Sequence, residues 1–168
     1  MLPTKQLPKV NTSNKILSKQ QLINLVESWR ENGEKIVFTN GCFDILHYGH
    51  LCLLNKSAAF GTKLIVAINS DSSVKKLKGE NRPINNELHR AALIAALEVV
   101  NATVVFEEET PAALISEIKP NILVKGGDYT VSQIAGADFV LKNGGEVKII
   151  PLEKNLSTTK ILSSLNRK

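Results

Sequence analysis

Residues 35–50 read Lys35-Ile-Val-Phe-Thr-Asn-Gly-Cys-Phe-Asp-Ile-Leu-His-Tyr-Gly-His50, and this stretch decides the fold. Its first five residues form an apolar, β-branched run typical of a buried strand. Asn40 and Gly41 end the strand, and a helix-length segment follows. Downstream, apolar strands alternate with helix-length segments in the same way. The pattern predicts an α/β fold of three layers, with about five parallel strands covered by helices on both faces.

The predicted elements leave room for one domain only. Five strands are predicted, at 35–39, 63–68, 103–106, 121–124 and 146–150. Helices are predicted at 18–29, 50–60, 71–77, 86–100, 111–118, 131–142 and from 158 onward. Residues 1–17 are mostly polar and are predicted to be a flexible lead-in, so the domain is expected to span 18–168 and to open with a helical segment over 18–32.

Composition narrows the classes of ligand. The 168 residues are 43% hydrophobic, which is enough for one core, and 21 basic against 16 acidic residues give a net charge of +5. The basic residues lack interleaved aromatic rings, which favours a compact phosphate site over a nucleic-acid surface. Cys42 and Cys52 fit no metal or disulfide pattern. No secretory signal or membrane span is present, so we expect a cytoplasmic protein without a membrane partner, and a homo-oligomer.

The turn after the first strand carries two histidines. His47 and His50 are three residues apart, so they can lie on one side of the opening helical turn, and Gly49 between them leaves the backbone open. Free N–H groups and the helix dipole attract phosphate there, and imidazoles can donate hydrogen bonds to phosphoryl oxygens. A metal site is the alternative, and its third ligand would have to be Asp44 or His89.

Five blocks of sequence carry a resemblance to a known family. They are Phe38-Thr-Asn-Gly-Cys-Phe-Asp-Ile-Leu-His47, Asn69-Ser-Asp71 with Leu77-Lys-Gly79, Arg82-Pro83, Val124-Lys-Gly-Gly-Asp128 and Ser157-Thr-Thr-Lys160. In this order and spacing the chain resembles the His-x-Gly-His nucleotidyltransferases. The resemblance is closest to the adenylyltransferase half of the bifunctional ADP-heptose synthesis proteins, and it runs from about Ser18 to the C-terminus without a kinase half.

The resemblance implies a Rossmann-like fold and a stand-alone adenylyltransferase. The expected reaction transfers AMP from ATP to D-glycero-D-manno-heptose 1-phosphate, giving ADP-heptose and pyrophosphate for lipopolysaccharide core or surface-glycan synthesis. The expected cofactor is Mg²⁺, carried mainly by the triphosphate rather than by protein ligands. The nucleophile is a phosphate monoester, ionised at neutral pH, so no general base is required. Catalysis would then come from alignment and charge neutralisation.

The resemblance and the chemistry of the side chains together predict roles for individual residues. Those expected to act in catalysis are His47, His50, Lys78 and Lys160. Those expected to bind nucleotide are Asn40, Gly41, Cys42, Phe43, Gly49, His50, Lys125, Gly126, Asp128, Ser157, Thr158 and Thr159. Those expected to bind the sugar phosphate or another phosphate are Asp44, Lys75, Lys78, Arg82 and Arg90. Lys75 and Lys76 fit a solvated basic face equally well.

Two alternative functions stay open. The first is cytidylyl transfer from CTP to glycerol 3-phosphate or ethanolamine phosphate. Glu153-Lys-Asn155 differs from the Arg-Thr-Glu-Gly of the glycerol-phosphate enzymes, which weakens that reading. The second is a nucleotide-binding module without catalysis. A G-x-G-x-x-G turn after the first strand would indicate it, and residues 40–44 lack that spacing.

Overall fold

A computed structural model describes residues 12–151 and 158–165 of the protein. In these ranges six strands form one sheet, in the order β1-β4-β3-β2-β5-β6, and every neighbouring pair is parallel. The strands are β1 (Ile16–Leu17), β2 (Ile36–Gly41), β3 (Lys63–Asn69), β4 (Ala102–Phe106), β5 (Ile122–Gly126) and β6 (Glu146–Ile150). The predicted parallel α/β architecture, Rossmann-like in its alternation of strands and helices, is confirmed.

The helices of the described ranges cover both faces of this sheet. They are α1 (Lys19–Glu31), α2 (Tyr48–Ala58), α3 (Asp71–Lys78), α4 (Glu87–Ala95), α5 (Ala112–Ile118), α6 (Ala137–Lys142) and α7 (Thr158–Leu165). α1 starts where predicted, because the Ser18 hydroxyl accepts from the Gln21 backbone while the Gln21 side chain accepts from the Ser18 backbone. None of the described helices is long and apolar enough to span a membrane.

Side chains of β2 point alternately to the two faces of the sheet, and each face has its own hydrophobic core. Ile36 and Phe38 of β2 point to the face covered by α1, α5 and α6, where they join Leu22 and Ile115. Val37, between them, points to the opposite face, which α2 and α4 cover. Because both faces are buried, the first three residues of the strand, 36–38, are all apolar, as is usual in parallel sheets.

Three elements differ from their predictions. The sequence pattern missed β1, since Ile16 and Leu17 are too short to show a period, and they pair with β4 inside the segment predicted to be flexible. The helix predicted over 131–142 is divided into a 3₁₀ turn (Val131–Gln133) and α6, because Gly136 adopts φ 84° between them. The helix predicted over 86–100 ends at Ala95, and turns lead from there to β4.

The topology brings three strand ends together. β2 lies between β3 and β5, with Gly41 opposite Ile68 on one side and Thr39 opposite Val124 on the other. The loops that leave these strands therefore meet at one edge of the sheet, where ligands of such folds bind.

Candidate active site

A cavity of about 610 Å³ opens at this edge of the sheet. Its walls come from the β2–α2 turn, the end of β3, the end of α3 and the loop after it, the β4–α5 loop, the β5–α6 loop and the start of α7. The residues that line it are Asn40, Gly41, Cys42, Phe43, His47, Gly49, His50, Leu53, Asn69, Leu77, Lys78, Arg82, Glu109, Thr110, Pro111, Lys125, Gly126, Tyr129, Gln133, Ile134, Ala135 and Thr158. A nucleotide or a comparably large ligand fits a volume of this size.

The two histidines stack against each other in this cavity. Their ring centroids are 3.8 Å apart at an interplanar angle of 21°, and the Phe43 ring meets His50 edge-on at 5.1 Å. His47 is the N-cap of α2, and Gly49 is buried in its first turn. In the described part of the chain both Nδ1 atoms are buried without a hydrogen-bond partner. Neither Nδ1 is therefore accessible, and a ligand that hydrogen-bonds to these rings would have to use Nε2.

The turn that carries the histidines is tightly wound. Phe43 has φ 47°, in the left-handed region that costs a residue other than glycine roughly 1 kcal/mol or more. Its side chain is buried, and a Cβ added to Gly41 would lie 3.1 Å from its ring. Glycine at position 41 therefore lets the Phe43 ring fold back over the strand end and support His50.

Burial keeps both imidazoles neutral. It lowers the pKa of His50 to about 4, with a smaller contribution from His47, and it also lowers the pKa of His47. At neutral pH the rings are therefore uncharged in the ligand-free protein, and each carries a single N–H. A bound phosphate would stabilise the protonated rings and raise both pKa values.

This depressed pKa predicts a loss of stability in acid. The unfolded chain takes up a proton at His50 below about pH 6.5, whereas the folded protein does so only near pH 4. The free energy of unfolding should therefore fall as the pH drops from 6.5 to 4.5, and His50 should account for roughly 2–3 kcal/mol of the fall. Urea titrations of wild type and His50→Asn at both pH values measure it, because other acid-sensitive groups are common to the two proteins. Equal losses in the two proteins would contradict it.

Lys125 lines the cavity on the β5 side of the histidines. Its Nζ donates to the Asn40 side chain over 3.2 Å and lies 5.7 Å from the centre of the Tyr129 ring, and burial lowers its pKa. Gly127, with φ 132°, lacks the Cβ that would lie 2.8 Å from this ring. The β5 loop thus presents glycine backbone and a half-exposed aromatic face to the cavity.

The thiol of Cys42 also faces the cavity. Its Sγ lies 4.0 Å from Oδ1 of Asn69, and burial raises its pKa. The group is therefore a protonated thiol at neutral pH and a poor nucleophile. A covalent intermediate at Cys42 does not fit this environment.

Asp44 is not open to a phosphate, which corrects its predicted role. Its side chain is 1% exposed and accepts hydrogen bonds from Nε of Arg82 and from the backbone of Ile84 and Asn85 at 2.8 and 2.9 Å. Burial alone would raise the pKa of Asp44, but these hydrogen bonds and the Arg82 guanidinium outweigh it and hold the pKa below its usual value. Asp44 therefore anchors the loop after α3 and positions Arg82 at the cavity wall.

Arg90 is also structural, which corrects its prediction as a phosphate clamp. It is fully buried and donates to the Cys42 carbonyl at 2.6 Å, the Asn85 carbonyl at 2.9 Å and Oδ1 of Asp71 at 2.7 Å. These bonds join the histidine turn, the α3–α4 loop and the start of α3. Since all three directions are occupied by the protein, the guanidinium is not available to a ligand.

The segments that line the cavity lie within the part of the chain that matches a known family. Residues 38–166, which include every segment lining the cavity, match the cytidylyltransferase-like family. The chain belongs to this family.

Relatives of this cytidylyltransferase-like domain include bifunctional proteins. The bifunctional protein HldE of Koribacter versatilis (strain Ellin345) is 51% identical over 148 residues, which are 88% of this chain and 30% of that protein. HldE of Coxiella burnetii (strain RSA 493 / Nine Mile phase I) is 51% identical over 150 residues, or 89% of this chain and 32% of its own. The chain thus spans about a third of the length of the curated relatives it matches.

Solved structures share the fold. A lipopolysaccharide core biosynthesis protein from Thermoplasma volcanium GSS1 matches with a TM-score of 0.60 at 32% identity, over 74% of this chain and 100% of that one. Pantoate-beta-alanine ligase from Francisella tularensis matches with a TM-score of 0.57 at 18% identity, over 89% of this chain and 76% of that one. The second likeness concerns the fold alone.

Most of the predicted site residues of this cytidylyltransferase-like domain do converge. The cavity wall includes His47, His50, Lys78, Arg82, Thr158 and the predicted nucleotide-binding residues Asn40, Gly41, Cys42, Phe43, Gly49, Lys125 and Gly126. Lys75 and Asp128 are exposed and do not line it, and neither does Lys76. Only the C-terminal end of α3 reaches the cavity, which leaves Lys75 outside. Ser157 and the side chains of Thr159 and Lys160 lie outside the described residues.

Two loops of the cavity wall were missed by the sequence analysis. Glu109, Thr110 and Pro111 follow β4, and Gln133–Ala135 follow β5 at some distance along the chain. Ligands of such folds bind beyond the carboxyl ends of the strands, so the predicted strand at 103–106 is the signal that points to the first loop. The second loop was hidden by its assignment to a continuous helix.

Proposed function

We propose that this chain transfers AMP from MgATP to D-glycero-D-manno-heptose 1-phosphate, with release of pyrophosphate. The product, ADP-heptose, would serve lipopolysaccharide core or surface-glycan synthesis. The observation that carries the proposal is the stacked His47–His50 pair at the N-terminus of α2, inside a cavity that Lys78, Arg82 and Lys125 also line. The HldE relatives and the lipopolysaccharide core biosynthesis protein support the choice of substrates.

The two sides of the cavity suit the two substrates. The β5 side offers glycine backbone, the Tyr129 ring, Ile134 and Ala135, which suit a flat, partly apolar base. The β3 side offers Asn69, Lys78 and Arg82, which suit a phosphate with a hydrated sugar attached. We therefore place the nucleoside against β5 and the acceptor against the end of α3, with the α-phosphate between them at the histidines.

The reaction needs no proton transfer in this arrangement. An ionised oxygen of the sugar 1-phosphate attacks the α-phosphorus of ATP, a new P–O bond forms, and the bond from the α-phosphorus to the bridging oxygen breaks with loss of pyrophosphate. Nε2–H groups of His47 and His50 donate to the α-phosphoryl oxygens, and Lys78 and Arg82 neutralise the acceptor phosphate.

In this proposal a divalent metal ion would arrive with the triphosphate. Among the described residues, no group of three or more His, Cys, Asp and Glu side chains is placed to hold a metal ion. Mg²⁺ would supply charge neutralisation for the triphosphate, and it would need few protein ligands because such ions usually keep most of their water.

Pyrophosphate release with each nucleoside triphosphate tests the proposal. The acceptors are heptose 1-phosphate, other sugar 1-phosphates, glycerol 3-phosphate and ethanolamine phosphate. We expect ATP with heptose 1-phosphate to be the best pair, with a preference for ATP over CTP of about 10- to 200-fold in kcat/KM. A product that is mainly CDP-linked would overturn the adenylyl assignment. Nucleotide binding without pyrophosphate release from any pair would indicate the non-catalytic module instead.

A further inference from the structure

The β4–α5 loop forms a wall of the cavity to which the proposed reaction assigns no role. Glu109, Thr110 and Pro111 line the cavity, as do Lys78 and Arg82. Two hydrogen bonds connect the loop to α3 and to the turn before it. The Ser70 backbone donates to the Phe106 carbonyl at 2.9 Å, and the Ser73 hydroxyl donates to the Glu108 carbonyl at 3.4 Å. Because α3 also carries Lys78, these bonds fix the position of the loop relative to the lysine that we expect to bind phosphate.

The polar groups of this loop are not used within the protein. In the described part of the chain, the Glu109 carboxylate and the Thr110 hydroxyl make no hydrogen bond or ion pair. Other acidic groups near the cavity are occupied, since Asp44 pairs with Arg82 and Asp71 with Arg90. Glu108, next along the chain, accepts from the Glu107 backbone. Among the described residues, Glu109 is therefore the carboxylate that lines the cavity and stays open to a ligand.

A carboxylate at this position is a poor fit for phosphate but a good one for hydroxyl groups. It repels the acceptor phosphate, which binds to Lys78 and Arg82, and its two oxygens can each accept a hydrogen bond from neighbouring hydroxyls. The Thr110 hydroxyl adds one further donor and acceptor. A sugar 1-phosphate carries its negative charge at one end and adjacent hydroxyls at the other, which matches a wall that changes from cationic to anionic.

We infer that Glu109 and Thr110 bind the hydroxyl groups of the acceptor sugar and determine which sugar phosphate is accepted. The inference rests on the proposed function, because it names the acceptor subsite of that reaction. It assigns the β4–α5 loop to the acceptor and leaves the nucleotide on the β5 side.

Steady-state kinetics of Glu109→Ala and Thr110→Val test the inference. Both side chains lie on an exposed loop, so the variants should fold normally. We expect Glu109→Ala to raise the KM of the sugar 1-phosphate about 10- to 100-fold while the KM of ATP and kcat change less than about threefold, and Thr110→Val to act in the same direction more weakly. Glu107→Ala is the matched control, since Glu107 belongs to the same acidic run and does not line this cavity.

Deoxy analogues provide a readout that a purely structural effect would not change. Wild type should discriminate by about 10-fold or more against those monodeoxy sugar 1-phosphates that lack a hydroxyl bound by Glu109, and Glu109→Ala should lose that discrimination. Unchanged discrimination in Glu109→Ala, with an active wild type, would overturn the inference and leave the proposed function standing. The inference would also be overturned if wild type used ethanolamine phosphate and Glu109→Ala lost that activity, because Glu109 would then bind an ammonium group instead of sugar hydroxyls. A wild type inactive with every sugar 1-phosphate would overturn the proposed function itself.

Discussion

Replacing His50 by alanine is expected to lower kcat by about 100- to 1000-fold, which corresponds to roughly 3–4 kcal/mol of transition-state stabilisation. Negative charge moves onto the α-phosphoryl oxygens and the leaving pyrophosphate during the reaction. An imidazole N–H fixed by stacking on His47 and by the Phe43 edge is aimed at that charge in advance. The dissociation constant of ATP should rise much less, because the interaction is strongest in the transition state.

The measurement is single-turnover formation of the nucleotide sugar at saturating ATP, with ATP affinity determined separately. His89→Ala is the matched control, since His89 is exposed on α4 and does not line the cavity. It should keep nearly full activity. A folded His50→Ala protein with a tenth or more of wild-type kcat would show that the histidine pair does not carry the catalysis proposed here.

The sheet and the histidine turn were predictable because their signals are local. A strand buried on both faces usually contains an unbroken apolar run, as at residues 36–38, and Asn40-Gly41 before a helix-length segment indicates a turn. The position of the pair His47 and His50 beyond the carboxyl end of β2 then follows from the parallel topology. Short β1 and the left-handed Gly136 break these local patterns, and both were missed.

The roles of the charged residues were not predictable in the same way. An arginine that binds phosphate and an arginine that is buried among carbonyls have the same side chain, and only the tertiary fold places Arg82 at the cavity and Arg90 behind it. Asp44 shows the same limit, because its partners Ile84 and Asn85 lie about forty positions away along the chain. The sequence makes such residues candidates for the site but does not separate contact with ligand from support of the site.

Arg90 gives the sharpest test of that separation. Arg90→Ala should lower the free energy of unfolding by about 3–5 kcal/mol, because it leaves the buried carbonyls of Cys42 and Asn85 without their donor and Asp71 without its cation. Arg90→Lys should recover only part of the loss, since a single ammonium cannot satisfy three acceptors in three directions. A residue that only binds phosphate would behave differently, because its removal would spare stability and raise the KM for substrate.

Urea unfolding of the ligand-free variants at pH 7 measures this effect directly. His89→Ala, one position away on the exposed side of α4, is the control and should change the free energy of unfolding by less than about 0.5 kcal/mol. Because the Arg90 bonds also hold the histidine turn against the α3–α4 loop, any folded Arg90→Lys protein should lose kcat through a displaced His47–His50 pair. A loss of less than 1 kcal/mol in Arg90→Ala would contradict the structural role and return Arg90 to the phosphate-binding residues.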